Sequence, residues 1–167
     1  MGSISVSGTG FAARTGGWEA FPHHLLRRLG AALMIVALLP GASAPGRVEI
    51  RVEGLRSTTG LVSVCMTMVP ADFPYCDKDP KALHRSVNAG PGVMIIFDDL
   101  PSGSYAAAIL HDENGNGKMD TRFGIPREGV AFSRNPVVRF SAPKFPQAVF
   151  PVADKPVSLT VQMKYFL

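Results

Sequence analysis

Short segments in which apolar and polar residues alternate, separated by turns rich in Pro and Gly, constrain the fold of this 167-residue chain most strongly. The clearest is Arg47 to Glu53, where Val48, Ile50 and Val52 alternate with charged residues. Successive side chains of a β-strand point to opposite faces, so this period of two predicts a half-buried strand. Beyond residue 45 we find almost no helical period. The chain is therefore expected to be all-β.

Further segments of the same kind predict the remaining elements. The predicted strands are 47–53, 61–69, 93–97, 104–110, 136–140 and 157–165, and residues 144–148 are predicted to form one helical turn. The Leu100-Pro101-Ser102-Gly103 turn before the fourth strand is short enough to require a hairpin. These elements predict a single antiparallel β-sandwich of about seven strands, transthyretin-like or immunoglobulin-like in architecture.

The N-terminal region has the form of a secretory signal. Arg27 and Arg28 precede an uncharged run, Leu29 to Leu39, that is too short to span a bilayer and is followed by small residues up to Ala44. We assign residues 1–44 to an N-terminal extension and signal peptide. The protein is therefore expected to be periplasmic or secreted.

The remaining residues, 45–167, are enough for one domain. Cleavage after Ala42, Ala44 or Gly46 fits the signal. Residues 45–167 carry 14 Lys and Arg against 12 Asp and Glu, a net charge of about +2. Since they contain no basic run with interleaved aromatic residues and no long apolar run, neither nucleic-acid binding nor a membrane span is expected.

Both cysteines, Cys65 and Cys76, lie in the exported part of the chain. An oxidising compartment favours a disulfide between them, which would attach the second strand to the Pro-rich loop Val69 to Arg85. The alternative is two unpaired thiols. The spacing of the two residues excludes a catalytic CxxC motif.

The segment from His111 to Asp120 places oxygen-bearing side chains at alternating positions around glycines. This spacing is that of a calcium-binding loop, with a turn at Gly117. The candidate ligands are Asp112, Asn114, Asn116, the backbone carbonyl of Lys118, and Asp120. The match is partial, because Phe123 stands where an EF-hand has a bidentate carboxylate and neither flank is predicted to be helical.

A further carboxylate is needed to strengthen such a site. We choose Glu128, which follows a Gly-Ile-Pro segment able to fold back over the loop, and keep Asp99 and Glu113 as alternatives. With few charged ligands, the expected cofactor is Ca²⁺ bound weakly, in the range of about 0.1–1 mM. Two other interpretations remain open: a structured turn without metal, since Asx side chains and Gly suit turns, and a site for another cation.

Arginine and phenylalanine residues follow the acidic loop and form a candidate ligand surface. They are Arg122, Phe123, Arg127, Phe132 and Arg134. Guanidinium forks and aromatic planes suit anionic or carbohydrate ligands, whereas ordinary solvated arginines around packed phenylalanines are the simpler explanation.

A longer set of residues resembles known families. Phe97-Asp98-Asp99-Leu100-Pro101-Ser102-Gly103-Ser104-Tyr105 resembles a hairpin of transthyretin-like and carboxypeptidase-regulatory-type sandwiches. Residues 111–121, with Phe123 to Gly129 and Phe132-Ser133, resemble the bacterial family catalogued as domain of unknown function 2141. The resemblance covers residues 47–167 and implies an exported, mostly β protein with no established activity.

We therefore expect a non-enzymatic binding or structural module, with a glycan or a cell-envelope protein as its expected kind of partner. One alternative is a carbohydrate- or adhesion-type interaction domain. Another is a hydrolase using His111, which would require that residue to face a concave pocket with a carboxylate in hydrogen-bond reach.

Overall fold

The described part of the chain consists of ten β-strands and one short helix. A computed structural model describes residues 45–139 and 141–167, so the predicted signal at 1–44 lies outside the described residues. The strands are β1 (Gly46–Glu53), β2 (Leu61–Thr67), β3 (Leu83–Asn88), β4 (Met94–Leu100), β5 (Gly103–Asp112), β6 (Thr121–Arg122), β7 (Ile125–Pro126), β8 (Gly129–Phe132), β9 (Phe150–Val152) and β10 (Val157–Gln162). The helix α1 covers Phe145–Ala148.

Two sheets contain the longer strands. In the first, β1 lies between β10 and β4, parallel to β10 and antiparallel to β4. The second is antiparallel with the order β3-β2-β5-β8, and β9 pairs with the start of β5. The all-β prediction is confirmed. The parallel β1–β10 pair departs from the predicted antiparallel arrangement, because the long chain between these strands allows a return in either direction.

An apolar core joins the two sheets. In β1, Val48, Ile50 and Val52 are buried while Arg51 and Glu53 are exposed, as the alternation predicted. The second sheet adds Val62, Val64, Met66, Tyr105, Ala107 and Ile109 to the same cluster. Burying one large aliphatic side chain stabilises a fold by about 1.5–3 kcal/mol, so this cluster is the main source of stability for the pair of sheets.

A second apolar cluster lies around α1. Phe73 contacts the rings of Phe132 and Phe145 edge to face, at centroid distances of 6.0 and 6.1 Å. Such aromatic pairs contribute about 0.5–1.5 kcal/mol beyond their buried area. The predicted helical turn at 144–148 is confirmed, and because four residues cannot form a stable helix alone, packing of Phe145 and Ala148 holds it.

The predicted strand at 136–140 is wrong in its described part, since residues 136–139 form no strand. Arg134 and Asn135 have positive φ angles of 63° and 48°, which turn the chain sharply after β8. Pro136 then offers no backbone N–H for a sheet.

The predicted disulfide is confirmed: Cys65 on β2 is bonded to Cys76, with their Cα atoms 6.4 Å apart. The intervening loop is also held by Asp72, whose carboxylate accepts hydrogen bonds from the backbone N–H groups of Lys78 and Asp79. No helix of the described residues is long and apolar enough to cross a bilayer.

Candidate metal site in the loop after β5

The loop after β5 is organised by the last residue of that strand. Asp112 is fully buried, and its Oδ1 and Oδ2 accept hydrogen bonds from the backbone N–H groups of Asn116 (3.1 Å) and Gly117 (2.7 Å). Gly115 and Gly117 have φ angles of 69° and 75°, a conformation that glycine adopts without strain. The carboxylate at the start of the loop therefore lies inside the turn that the chain makes around it.

The two asparagines continue this arrangement. The Oδ1 atoms of Asn114 and Asn116 accept hydrogen bonds from the backbone N–H groups of Asn116 (3.0 Å) and Lys118 (2.8 Å). Their amide nitrogens donate to the two carboxylate oxygens of Asp120, at 2.7 and 3.3 Å. The side chains of Asn114, Asn116 and Asp120 are thus connected to one another, whereas the Asp112 carboxylate contacts backbone N–H groups.

Glu128 folds back on the loop and closes it. Its Oε1 accepts the backbone N–H of Glu113 (3.2 Å) and its Oε2 accepts that of Asp120 (3.0 Å). The Arg127 N–H donates to the Asp120 carbonyl at 2.9 Å. Burial raises the pKa of Glu128, and the nearby negative charges of Asp112 and Asp120 raise that pKa further. Only 4 % of Glu128 is exposed.

Negative charge is concentrated here, and Arg56, whose guanidinium also attracts Glu128, is ion paired with Glu113. In the described part of the chain, no Lys or Arg nitrogen lies within 4.0 Å of the carboxylate of Asp112, Asp120 or Glu128. Backbone N–H groups solvate the two buried carboxylates, but N–H dipoles do not neutralise their charge. A bound cation would do so.

Carboxylates and histidines alone do not complete a site. Within residues 45–139 and 141–167, no three His, Cys, Asp or Glu side chains are grouped closely enough to hold a metal ion by themselves. Calcium also accepts amide and backbone carbonyl oxygens, so a calcium site here needs Asn114, Asn116 and the Lys118 carbonyl. An amide oxygen has two lone pairs, and one remains on each asparagine after its backbone hydrogen bond.

His111 lies beneath the loop and is fully buried. Its Nδ1 is 2.7 Å from the hydroxyl of Tyr165, and its Nε2 is 3.0 Å from the carbonyl oxygen of Thr59. Because a carbonyl only accepts, Nε2 carries a proton, and the Tyr165 hydroxyl can donate to Nδ1 while accepting the Arg56 N–H at 3.1 Å. His111 therefore does not meet the condition set above for a hydrolase, since its ring has no exposed surface and its two nitrogens are bonded to a hydroxyl and a carbonyl, not to a carboxylate.

Arg56 binds the loop to distant parts of the chain. Its guanidinium forms an ion pair with Glu113 and donates to the carbonyls of Arg127 (2.8 Å) and Leu167 (2.7 Å). The same group lies 4.4 Å from the centroid of the Tyr165 ring. Hydrogen bonding from Arg56 lowers the pKa of Glu113.

The residues around the base of the loop form one hydrogen-bonded group, which we call the polar support. Its members are Thr59, His111, Tyr165, Arg56 and Glu113. Sequence reasoning missed Thr59, Arg56 and Tyr165, because no local motif contains them. The alternatives to Glu128 are less suitable, since Glu113 is engaged by Arg56 and Asp99 lies in β4, outside this loop.

The predicted ligand surface is only partly assembled. Phe123 is 92 % exposed at the tip of the β6–β7 hairpin, with the Arg122 guanidinium 5.6 Å from its ring centroid, and Arg127 is exposed where that hairpin ends. Phe132 is buried in the second apolar cluster, so its placement on a ligand surface was wrong. Arg134 is exposed and donates to a backbone carbonyl just after α1, at 3.1 Å.

Comparison with known proteins gives one match. Residues 50–160 match the model of a family described as "Uncharacterized protein conserved in bacteria (DUF2141)". No curated protein and no solved structure matches the chain. The matched region contains the second half of β1, all of β2 to β9, most of β10, and the whole loop after β5.

Proposed function

The chain belongs to the DUF2141 family of proteins conserved in bacteria, and from this premise we propose that it is an exported, non-enzymatic β-module whose loop after β5 binds calcium. The candidate ligands are side-chain oxygens of Asp112, Asn114, Asn116, Asp120 and Glu128 together with the Lys118 carbonyl, and calcium would have to draw the three carboxylates together, since they are not grouped around one point before binding. Its role is to stiffen the long connection between β5 and β8.

One observation carries this proposal: two buried carboxylates, Asp112 and Glu128, lie at opposite ends of one loop, and neither forms an ion pair with a Lys or Arg of the described residues. Asp120 adds a third, partly buried carboxylate between them in sequence. Burying charge without neutralisation is unfavourable, as the raised pKa of Glu128 indicates. Calcium relieves this cost and accepts the mixture of carboxylate, amide and carbonyl oxygens that the loop offers.

The competing explanation is a loop that needs no metal. Four backbone N–H groups already bind the carboxylates of Asp112 and Glu128, and the asparagine amides bind Asp120. These contacts order the loop, but they leave its negative charge in place. The two explanations therefore differ in whether calcium stabilises the folded protein.

The test is thermal unfolding of the full chain in 10 mM calcium, 10 mM magnesium, or chelator, combined with calorimetric titration of calcium. If the dissociation constant is about 0.1 mM, calcium at a hundredfold excess adds about 2.7 kcal/mol to the free energy of unfolding. We expect a rise of several degrees in Tm with calcium and little or none with magnesium, whose octahedral geometry suits this loop poorly.

A pair of matched variants locates the effect. Asp120→Asn preserves the size of the side chain but removes its negative charge. The carboxylate of Asp120 is partly buried and accepts hydrogen bonds only from side chains, so this variant should fold normally and lose most of the calcium response. Asp99→Asn removes an exposed carboxylate outside the loop and should leave the response unchanged. Equal unfolding curves in calcium and chelator for the unsubstituted chain would exclude the metal and favour the metal-free loop.

A carbohydrate- or adhesion-type role is the second candidate. The observation in its favour is the nearly full exposure of Phe123 beside Arg122, since an exposed aromatic ring next to a guanidinium suits sugar stacking. Burial of Phe132 weakens it, because one aromatic ring then remains where two were expected. Binding of soluble cell-wall glycan that is lost in Phe123→Ala would support this role.

A further inference from the structure

The β6–β7 hairpin lies in the connection between β5 and β8, and its turn has a conformation that is unusual for the residues in it. Its two strands pair Thr121 with Pro126 and Arg122 with Ile125. The turn residues Phe123 and Gly124 both have positive φ angles, 52° and 76°. Such two-residue turns favour Asn-Gly or Gly-Gly, and a bulky residue in the first position is strained.

Phe123 receives no compensation from packing, because 92 % of its surface is exposed. A phenylalanine that stabilised the fold would be expected to bury its ring, as Phe73 and Phe145 do in the second cluster. Strain combined with an exposed aromatic ring points to a contact made outside the domain.

The chemistry around the ring narrows the kind of partner. Two other large apolar side chains near the tip, Met119 and Ile125, are 38 % and 43 % exposed. The cationic residues Lys118, Arg122 and Arg127 are all exposed in the same stretch. Apolar side chains surrounded by Lys and Arg are suited to the boundary between lipid headgroups and acyl chains, where rings insert and cations meet anionic headgroups.

We infer that the β6–β7 hairpin docks on an anionic lipid surface, inserting Phe123, when the adjoining loop holds calcium. The calcium dependence rests on the proposed function and follows from charge. Residues 112–128 contain four acidic residues, Asp112, Glu113, Asp120 and Glu128, and three basic ones, Lys118, Arg122 and Arg127. Arg56, which pairs with Glu113, adds a fourth positive charge, so the net charge is zero without metal, and one bound Ca²⁺ changes it to +2, which attracts anionic headgroups.

A lipid surface fits the hairpin better than a glycan does. Phe123 is 92 % exposed in the turn between β6 and β7, so neighbouring groups of the described residues do not enclose its ring as a site for a sugar ring would require. A flat surface of headgroups needs no such enclosure. Charge complementarity with the three basic residues favours anionic headgroups over neutral ones.

A tryptophan at the tip tests insertion directly. Trp18 is the single tryptophan of the chain, so the full chain with Trp18→Phe and Phe123→Trp reports on position 123 alone. The probes are vesicles of phosphatidylcholine with or without 30 % phosphatidylglycerol, in calcium or chelator, with brominated lipids as quenchers. The control carries Trp18→Phe and Val137→Trp, because Val137 is 75 % exposed and lies outside the hairpin.

We expect a blue shift and quenching at position 123 with anionic vesicles in calcium, and neither signal at position 137. Partitioning should be stronger in calcium than in chelator by about tenfold or more, since two charges are added near the surface. Adding Asp120→Asn should abolish the effect of calcium, which controls for direct effects of calcium on the vesicles.

Three outcomes would overturn the inference in distinguishable ways. If calorimetry detects calcium binding but position 123 shows no insertion, the docking is wrong while the proposed function stands. Equal insertion in calcium and in chelator would refute the proposed dependence of docking on bound calcium. Binding of soluble cell-wall glycan with no response to vesicles would assign the hairpin to the carbohydrate role instead.

Discussion

Two buried regions of this protein share one strand and are stabilised differently. The middle of β5 places Tyr105, Ala107 and Ile109 in the apolar core between the sheets, whereas its end places His111 and Asp112 in a polar interior. Contacts in the core have no required direction. In the polar region, each buried side-chain N or O atom forms a hydrogen bond with a specific partner. No buried side-chain N or O of the described residues lacks such a bond.

This difference indicates where function can reside. An apolar core tolerates exchange among side chains of similar volume, because burial free energy depends on area rather than on partners. A buried polar group becomes costly as soon as one partner is lost. The polar support therefore holds the β5 end and the candidate calcium loop in one arrangement, a precision that apolar packing alone would not require.

The largest expected effect comes from the apolar core. Ile50→Ala removes a fully buried side chain from β1 and should lower the free energy of unfolding by about 2–5 kcal/mol. Urea denaturation would measure this loss, which should be the same in calcium and chelator. The control Val137→Ala, at an exposed position, should change little. A loss below 1 kcal/mol at Ile50 would contradict the assignment of this cluster as the main core.

A smaller effect is expected in the polar support. Tyr165→Phe removes the hydroxyl that contacts His111 Nδ1 and accepts the Arg56 N–H, while the ring remains. Leaving the buried Nδ1 without a partner should cost about 1–3 kcal/mol. Thermal or urea unfolding would show it, and Tyr75→Phe, at a 62 % exposed position, is the matched control. Equal losses in both variants would show that the hydroxyl of Tyr165 has no special role.

The smallest effect is expected for the ion pair between Arg56 and Glu113, and it should depend on pH. Glu113→Gln should cost about 1 kcal/mol or less at pH 7, since the pair is partly exposed. Hydrogen bonding from Arg56 lowers the pKa of folded Glu113, so the pair stabilises the fold above the unfolded pKa of this group. That contribution is lost as pH falls through the lowered folded pKa.

The unfolding free energies of the original chain and Glu113→Gln should therefore converge in acid. Measurement of both from pH 7 down to about pH 3 tests this, because the window covers the ordinary pKa of Glu and values below it. A constant difference across that range would show that Glu113 acts through contacts that do not need its charge.

Local pattern was sufficient for much of the fold. The alternation in Arg47–Glu53 predicted β1, and the short Pro-Gly turn predicted the hairpin between β4 and β5. The presence of two cysteines in a segment expected to be exported predicted the disulfide. Segments without such a pattern were missed. Most side chains of β3 are exposed and all four residues of β8 are buried, so neither shows a period of two, and β9, with three residues, is too short to reveal one in the sequence.

The candidate site divides in the same way. The oxygen spacing from Asp112 to Asp120 is a local feature, and the structure joins Asn114 and Asn116 to Asp120 through their side chains. Residue type could not predict that Phe123 is exposed and Phe132 buried, because both are phenylalanines near arginines in the same part of the sequence. Only packing against the cluster around α1 distinguishes them.

By itself, the sequence determined the strand periodicity, the turns and the order of oxygen ligands, because each depends on residues within about ten positions of one another. Tertiary structure alone decided that His111 is buried against Tyr165 and that Arg56 reaches Glu113, contacts that span 54 and 57 positions. It also decided the parallel pairing of β1 with β10. Contacts of this kind depend on how the sheets come together, and no local period encodes that.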